Sequence, residues 1–552
     1  MTQFSSNKLA PTAQKLRGGY YTPDALAEFM SGWAIRSGAE RILEPSCGDG
    51  NFVIEAASRL TGSGRVVAVE IDKDEIAKAR RRSAAWGKQI VWHRSDFFEA
   101  FEGLATGEQF DVLLGNPPFI RFQHFDPPAR ERAFTLLRGF GYRPNGLANA
   151  WASFVQLGAE LIKDGGRLAM VIPAELLQVQ YAAELRARLP ILFDEVLIVG
   201  FDELVFPEIQ QEVVLLLAEG RNRSRKSAGR LHTMQLQNGI ELIKKFEEGL
   251  KVSHLPERQA RAEMKWTSLF LPADEFTVLD ETVTGRGLMR LGDYADVDVG
   301  IVTGRNKFFV ISDADATSME VNGYAVKVVG RTSALKSISF TEDDVASYSE
   351  KYPSKLLNLR GIAESRFSKG LIDYIEAGEK DRVNTGYKCR IRNRWYDVPS
   401  IYTPDAFLFR QIHNAPLLVA NHAGVTATDT IHRVRVKQDI DVDQLCSASV
   451  NSLTFAWAEV CGRSYGGGVL ELEPREAEEL PIPYEHALEL DRKYLDLALR
   501  AGDLMKALDH SDEILLRKGM GLSRTDLKRI RAAWVSLKNR RHGRKSTSQA
   551  PL

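Results

Sequence analysis

The chain has 552 residues, and its 73 basic and 73 acidic side chains balance to zero formal charge. That length is too great for one hydrophobic core and implies two or more domains. No apolar run is long enough for a membrane-spanning helix, and a neutral total neither suggests nor excludes nucleic acid, which depends on how charge is distributed. Four scattered cysteines, Cys47, Cys389, Cys446 and Cys461, show neither pairing nor metal-ligand spacing, and the first residues lack the apolar centre of a signal peptide. A reduced, cytoplasmic, metal-free protein is expected.

In chain order, short apolar runs alternate with helix-like stretches. RILE (41–44), RVVAVEID (65–72), QIVWHRSD (89–96) and FDVLLGNPPF (110–119) read as strands, with helices at 51–60 and 73–86 between them. A helix at 151–162 follows, then strands at 166–173, 194–201 and 212–219. Near-continuous apolar strands alternating with helices imply a mainly parallel sheet covered on both faces. After about residue 220 the pattern changes to a basic, polar stretch. From about residue 275 irregular strands and loops rich in Tyr, Arg and Asn begin, with a helical tail over 484–540. The expected domains are 1–225, a linker over 226–275, and 276–552.

LLGNPPFIRF (113–122) poses the sharpest question. Two prolines stop a strand, and Asn116 before a proline is pushed out of the helical region. The segment therefore reads as a rigid lip at a strand end. Asn116 offers Oδ1, Pro117 offers a carbonyl that no helix or ladder uses, and Phe119 offers a stacking face. Two convergent acceptors would hold an exocyclic amine by both hydrogens and free its lone pair.

Other strand ends carry matching signals. EPSCGDGNF (44–52) is a strand, a glycine turn and a helix start, but Val53 stands where a dinucleotide fingerprint has its third glycine. Glu70, about 20 residues on, suits a ribose diol. Asp96 could accept from an adenine amino group, with Phe97 over the ring. Upstream, GGYYTP (18–23) sets Tyr21 and Thr22 before a proline that opens a helix. The residues alone indicate a nucleoside cofactor and leave nicotinamide and S-adenosylmethionine both open.

The ordered set GGYYTP, EPSCGDG, VEID, SDFF and GNPPF resembles the gamma-class N6-adenine DNA methyltransferases of the TaqI-like group, type II modification methylases. VDVGIVTGRNKFFV (297–310) and GGGVLELEPREAEELPIP (466–483) resemble stretches of their recognition domains. The resemblance covers most of the chain and is loose over about 220–275. It implies an α/β fold: an N-terminal Rossmann-like class I methyltransferase domain plus a mixed α/β C-terminal target-recognition domain with a helical tail. It implies S-adenosyl-L-methionine as cofactor, held by Tyr21, Thr22, Glu44, Cys47, Gly48, Gly50, Glu70, Ile71, Asp96 and Phe97. It puts Asn116, Pro117, Pro118 and Phe119 at the target adenine, with Phe206 closing on its other face. Phe119 departs from relatives that carry Tyr, but stacking needs only the ring.

The activity implied is methyl transfer to N6 of an adenine flipped out of duplex DNA. Candidate DNA contacts are Arg305, Asn306 and Lys307, then Arg390, Arg392, Arg394 and Trp395, with His422 or His432. The expected partners are double-stranded DNA and a separately encoded restriction endonuclease acting on the same site, since no stretch resembles a nuclease core. Two rivals stand beside this reading. One is an RNA or protein N-methyltransferase sharing the NPPF lip. The other is a DNA-binding, methyltransferase-like subunit of a defence complex.

Overall fold

The strands of the first half bury side chains at almost every position because both sheet faces are covered. On β1 (Arg41–Glu44), β2 (Arg65–Val69), β4 (Phe110–Gly115) and β5 (Ile162–Pro173), successive residues enter opposite cores. Leu43, Val67, Leu113, Leu168 and Met170 face one core, and Ile42, Val66, Val112, Ala169 and Val171 face the other. This is the alternation of a pleated strand carried through two apolar layers.

In this computed structural model, residues 22–543 are described apart from 204, 206–211, 225–226, 259–263, 286 and 466–467. The chain divides into two compact units, one whose main path ends at Phe270 and one running over Leu271–Gly462 and Val469–Asn539.

With β3 (Ile90–His93), β6 (Phe193–Phe201), β7 (Val213–Arg221) and β8 (Arg230–Leu236), the first unit holds an eight-stranded sheet of order β3-β2-β1-β4-β5-β7-β6-β8. β3 to β5 run parallel, and β7 alone opposes its neighbours β5 and β6. The expected mainly parallel sheet is present, with one reversed strand. Its helices are α1 (Asp24–Ala34), α2 (Asn51–Arg59), α3 (Lys73–Arg82), α4 (Phe97–Ala105), α5 (Pro127–Gly139), α6 (Ala150–Glu160), α7 (Ala183–Leu192) and α8 (Gly239–Glu247).

The linker over 226–275 is corrected. β8 pairs with β6 in parallel from Arg230 to Leu236, so this stretch completes the sheet. It was hidden because RLHTMQL carries His, Thr and Gln. His232 is buried and held by Glu195 at 2.7 Å, and Thr233 donates to the Leu269 carbonyl at 2.8 Å.

The second unit is mixed α/β. A five-stranded sheet sets Ser339–Phe340, Leu418–Asn421, Ala406–Phe409, Ile431–Val436 and Ala295–Asp298 side by side. A separate cluster around Phe308, Phe309, Leu356 and Leu371 forms a smaller core. The helical tail comprises Arg492–Arg500, Leu504–Ser511, a π-helical stretch Asp512–Gly519, and Arg524–His542.

Candidate active site

The parallel strands bring their carboxyl ends to one edge of the sheet, where such sheets hold ligands. After β1 the chain turns through Pro45–Gly50 into α2. Gly48 takes a φ of +53°, and its N–H donates to Glu70 Oε2 at 2.8 Å. Asp72 N–H donates to Glu70 Oε1, also at 2.8 Å. Backbone amides of two loops thus fix both oxygens of Glu70 at the end of β2. Asp72 itself caps α3 through Asp74 and Glu75 N–H. Between them Ile71 stands 64% exposed on the cavity rim.

Glu44, the last residue of β1, is buried, and its Oε2 has no hydrogen-bond partner. Burial, reinforced by the charge of Glu70, pushes its carboxyl well above the usual range. Burial likewise raises the Cys47 thiol, so it is not a ready thiolate. Asp96 caps α4, its Oδ1 accepting from Phe98 N–H at 2.8 Å and Glu99 N–H at 3.2 Å. Burial raises its carboxyl too. Phe97 stacks on Phe154 with centroids 5.1 Å apart.

β4 delivers the lip. Asn116 Nδ2 donates to Thr22 Oγ1 at 3.2 Å, and Asn51 Nδ2 donates to the Thr22 carbonyl at 2.9 Å. These bonds fix the orientation of the Asn116 amide and define Oδ1 as its acceptor end. Among the described residues no donor reaches the Pro117 carbonyl. The chain beyond the lip is also tied down. Phe122 N–H donates to Asn149 Oδ1 at 3.0 Å, and Ala150 N–H donates to the Ile120 carbonyl at 3.0 Å. Asn149 Nδ2 donates to Glu175 Oε2 at 2.9 Å. The Tyr181 hydroxyl donates to the same oxygen and accepts from Trp151 Nε1 at 3.1 Å.

One cavity of about 460 Å³ joins these parts. Thr22, Glu44, Cys47, Gly48, Glu70, Ile71, Asp96, Phe97, Asn116 and Pro118 all line it. Gly50, Pro117 and Phe119 do not. Gly50 serves packing instead: with φ +95°, a Cβ there would lie 2.9 Å from Ala79 Cβ. Phe119 is half-buried and packs against both cores. Tyr21 and Phe206 lie outside the described residues. Sequence reasoning missed the apolar end of the cavity, formed by Phe98, Ile120, Phe125, Ala129 and Phe154, and the Asn149–Glu175–Tyr181 network behind the lip. The Asp-Pro-Pro start of α5, which positions Phe125 and Ala129, was the available signal.

In the second unit the candidate DNA contacts separate into two groups. Asn306, Lys307 and Arg390 are exposed and Arg305 is half-buried. Arg392 and Arg394 are half-buried and tied to the fold. Arg392 donates to the carbonyls of Val302, Thr303 and Trp395, at 3.0, 2.9 and 3.3 Å. Arg394 forks onto Asp397 and donates to the Ile362 and Leu359 carbonyls. Trp395 is half-buried, packs on Phe308 and donates to Glu379. His432 lies fully buried with Nε2 on the Leu472 carbonyl at 2.7 Å, and burial keeps its ring neutral. His422 is exposed beside Asp443. No cluster of His, Cys, Asp and Glu suited to a metal, and no helix long and apolar enough to cross a membrane, occurs among the described residues.

Residues 65–200 match the Eco57I restriction-modification methylase family, and residues 263–516 match the C-terminal domain of the type II methyltransferase M.Eco57I. Over 478 residues the chain is 20% identical to the type II methyltransferase M.AccI of Acinetobacter calcoaceticus, covering 83% of each. It is 22% identical over 485 residues to the type II methyltransferase M.XamI of Xanthomonas campestris pv. amaranthicola, covering 84% of this chain and 85% of the relative. Among solved structures, a DrdV–DNA complex shares the fold with a TM-score of 0.50 at 12% identity, over 88% of this chain and 58% of that one.

Proposed function

Because this chain belongs to the type II methyltransferases of restriction-modification systems, we propose that it methylates N6 of an adenine extruded from duplex DNA. S-adenosyl-L-methionine supplies the electrophilic methyl group. The cavity residues fit such a donor. Glu44 presents a buried carboxyl oxygen without a partner, which suits a cationic ligand. Glu70 stands at the strand end where an acid meets ribose hydroxyls, and Ile71, Phe97 and Asp96 suit an adenine ring and its amino group.

Asn116 Oδ1 and the Pro117 carbonyl accept the two hydrogens of the target amine. An exocyclic amine is a poor nucleophile while its lone pair is delocalised into the ring. Fixed acceptors favour a tetrahedral nitrogen and aim the lone pair, and preorganised dipoles of this kind need no rearrangement during the reaction. The methylated amine carries the positive charge and is acidic enough to lose its proton to water, so Asn116 orients and is not a general base. Phe119 offers its ring to the extruded base. The second unit supplies the DNA contacts that offset unpairing, about a few kcal/mol.

The observation that carries this reading is the Asn116 amide, held by Thr22 in the lining of a cavity that also holds a buried carboxyl oxygen of Glu44 without a hydrogen-bond partner. The test is transfer of labelled methyl to unmethylated duplex DNA, with RNA and protein as parallel acceptors, followed by nucleoside analysis. N6-methyladenine in the duplex is expected. Label in N4-methylcytosine, RNA or protein would overturn the assignment. A separately encoded endonuclease that cleaves only DNA lacking this methylation completes the proposed system.

A further inference from the structure

Two turns of the second unit fit against each other more closely than their sequence separation suggests. Gly304 takes a φ of +87°, and a Cβ there would lie 3.0 Å from Lys388 Cβ and 3.3 Å from Cys389 Sγ. Arg392 locks the contact by donating to the Val302 and Thr303 carbonyls. The arginine that the sequence offers as a DNA reader is therefore the clamp that joins the 303–307 turn to the 387–391 turn.

The resulting ledge carries an unusual surface. Tyr387 is 65% exposed and Ile391 is 61% exposed. Ile391 N–H donates to the Tyr387 carbonyl at 3.3 Å, so the two side chains stand one helical turn apart on the same face. The Lys388 ammonium lies 5.8 Å from the Tyr387 ring. Lys388 and Arg390 are exposed beside this pair and Lys307 is exposed on the adjoining turn, and none forms an ion pair among the described residues. Large apolar side chains in water are costly, and three exposed cations without an ion-pair partner favour an anionic ligand. Duplex DNA answers both features, since its phosphates take cations while its grooves take apolar side chains against the bases.

We propose that this ledge, Lys307 with Tyr387–Ile391, seats in a groove of duplex DNA. Tyr387 and Ile391 contact bases, and Lys307, Lys388 and Arg390 contact the flanking phosphates. The inference rests on the DNA-modifying function proposed above and assigns part of its recognition surface.

The experiment titrates the full-length chain against a fluorescent random-sequence duplex at several salt concentrations. Removing both cations (Lys388→Ala with Arg390→Ala) is expected to flatten the slope of log affinity against log salt by about 2, near 0.9 per phosphate contact. Removing the apolar pair (Tyr387→Ala with Ile391→Ala) is expected to weaken binding roughly tenfold at every salt concentration with the slope unchanged, because no charge is lost. Denaturant unfolding of each variant, matched to wild type, checks that the second unit keeps its fold. Wild-type binding to duplex that neither variant alters overturns the ledge and leaves the proposed function standing. A change of slope in the apolar variant overturns the division of roles. Absence of duplex binding by the wild-type chain overturns both readings.

Discussion

Replacing Asn116 with alanine separates chemistry from binding. The side chain is anchored in part by the 3.2 Å donation from Nδ2 to Thr22 Oγ1. A neutral, half-buried bond of this kind contributes about 1 kcal/mol to stability, so Asn116→Ala should fold with a melting temperature only a few degrees lower. The loss in rate should be far larger. One preorganised group aimed at developing charge is worth about 3–4 kcal/mol, or roughly two to three orders of magnitude in turnover. Single-turnover transfer of labelled methyl to duplex DNA measures this, with donor and DNA affinities titrated separately. Thr22→Val removes the anchor but keeps Oδ1, and should fall between the two, roughly tenfold below wild type. If Asn116→Ala bound both ligands and turned over within tenfold of wild type, the acceptor role assigned to the lip would be wrong.

Glu44→Gln tests the buried carboxyl. Burial raises its folded-state pKa, so over the window between its ordinary and raised values the folded chain holds a proton that the unfolded chain releases. Stability of the free protein therefore falls as pH rises through that window. Glu44→Gln should gain in melting temperature relative to wild type above neutrality and not in mild acid, and an equal offset at both would refute the claim. Donor affinity of the wild type should rise with pH while that of Glu44→Gln stays flat, as calorimetry at two pH values would show. Asn149→Ala should lower kcat about tenfold or more with donor affinity unchanged, because it frees Phe122 from its anchor behind the lip; a change confined to donor binding would place Asn149 elsewhere in the mechanism. Arg392→Ala should destabilise the second unit by about 1–3 kcal/mol by stripping donors from three carbonyls. Unaltered denaturant unfolding would return Arg392 to the list of DNA readers.

The sheet was legible because parallel strands covered on both faces read as apolar runs, as in RVVAV and FDVLLG. β8 was not legible, since its polar members find partners far along the chain, Thr233 at Leu269 for example. The cavity-lining acids and Gly48 could be found because each sits at a strand end or turn, where residue type follows geometry. The support for the lip could not, because Asn149, Glu175 and Tyr181 act through contacts with residues 26 or 27 positions away or more, apart from the Glu175–Tyr181 bond itself. The basic run at 387–395 shows the limit most clearly. Arg390 and Arg392 are two residues apart, yet one faces solvent and the other satisfies backbone carbonyls, and a string of letters does not say which way a guanidinium points.

Gly115, the residue just before the lip, has a consequence for how such an enzyme can change. A methyl group added there would come within 2.3 Å of Glu44 Oε1. On the roles proposed above, the donor half and the acceptor half of the reaction are thus separated at this point by no more than the hydrogen of Gly115. Drift at this position cannot retune one half and spare the other, because even alanine would shove the acid aside and tilt the amide that follows it.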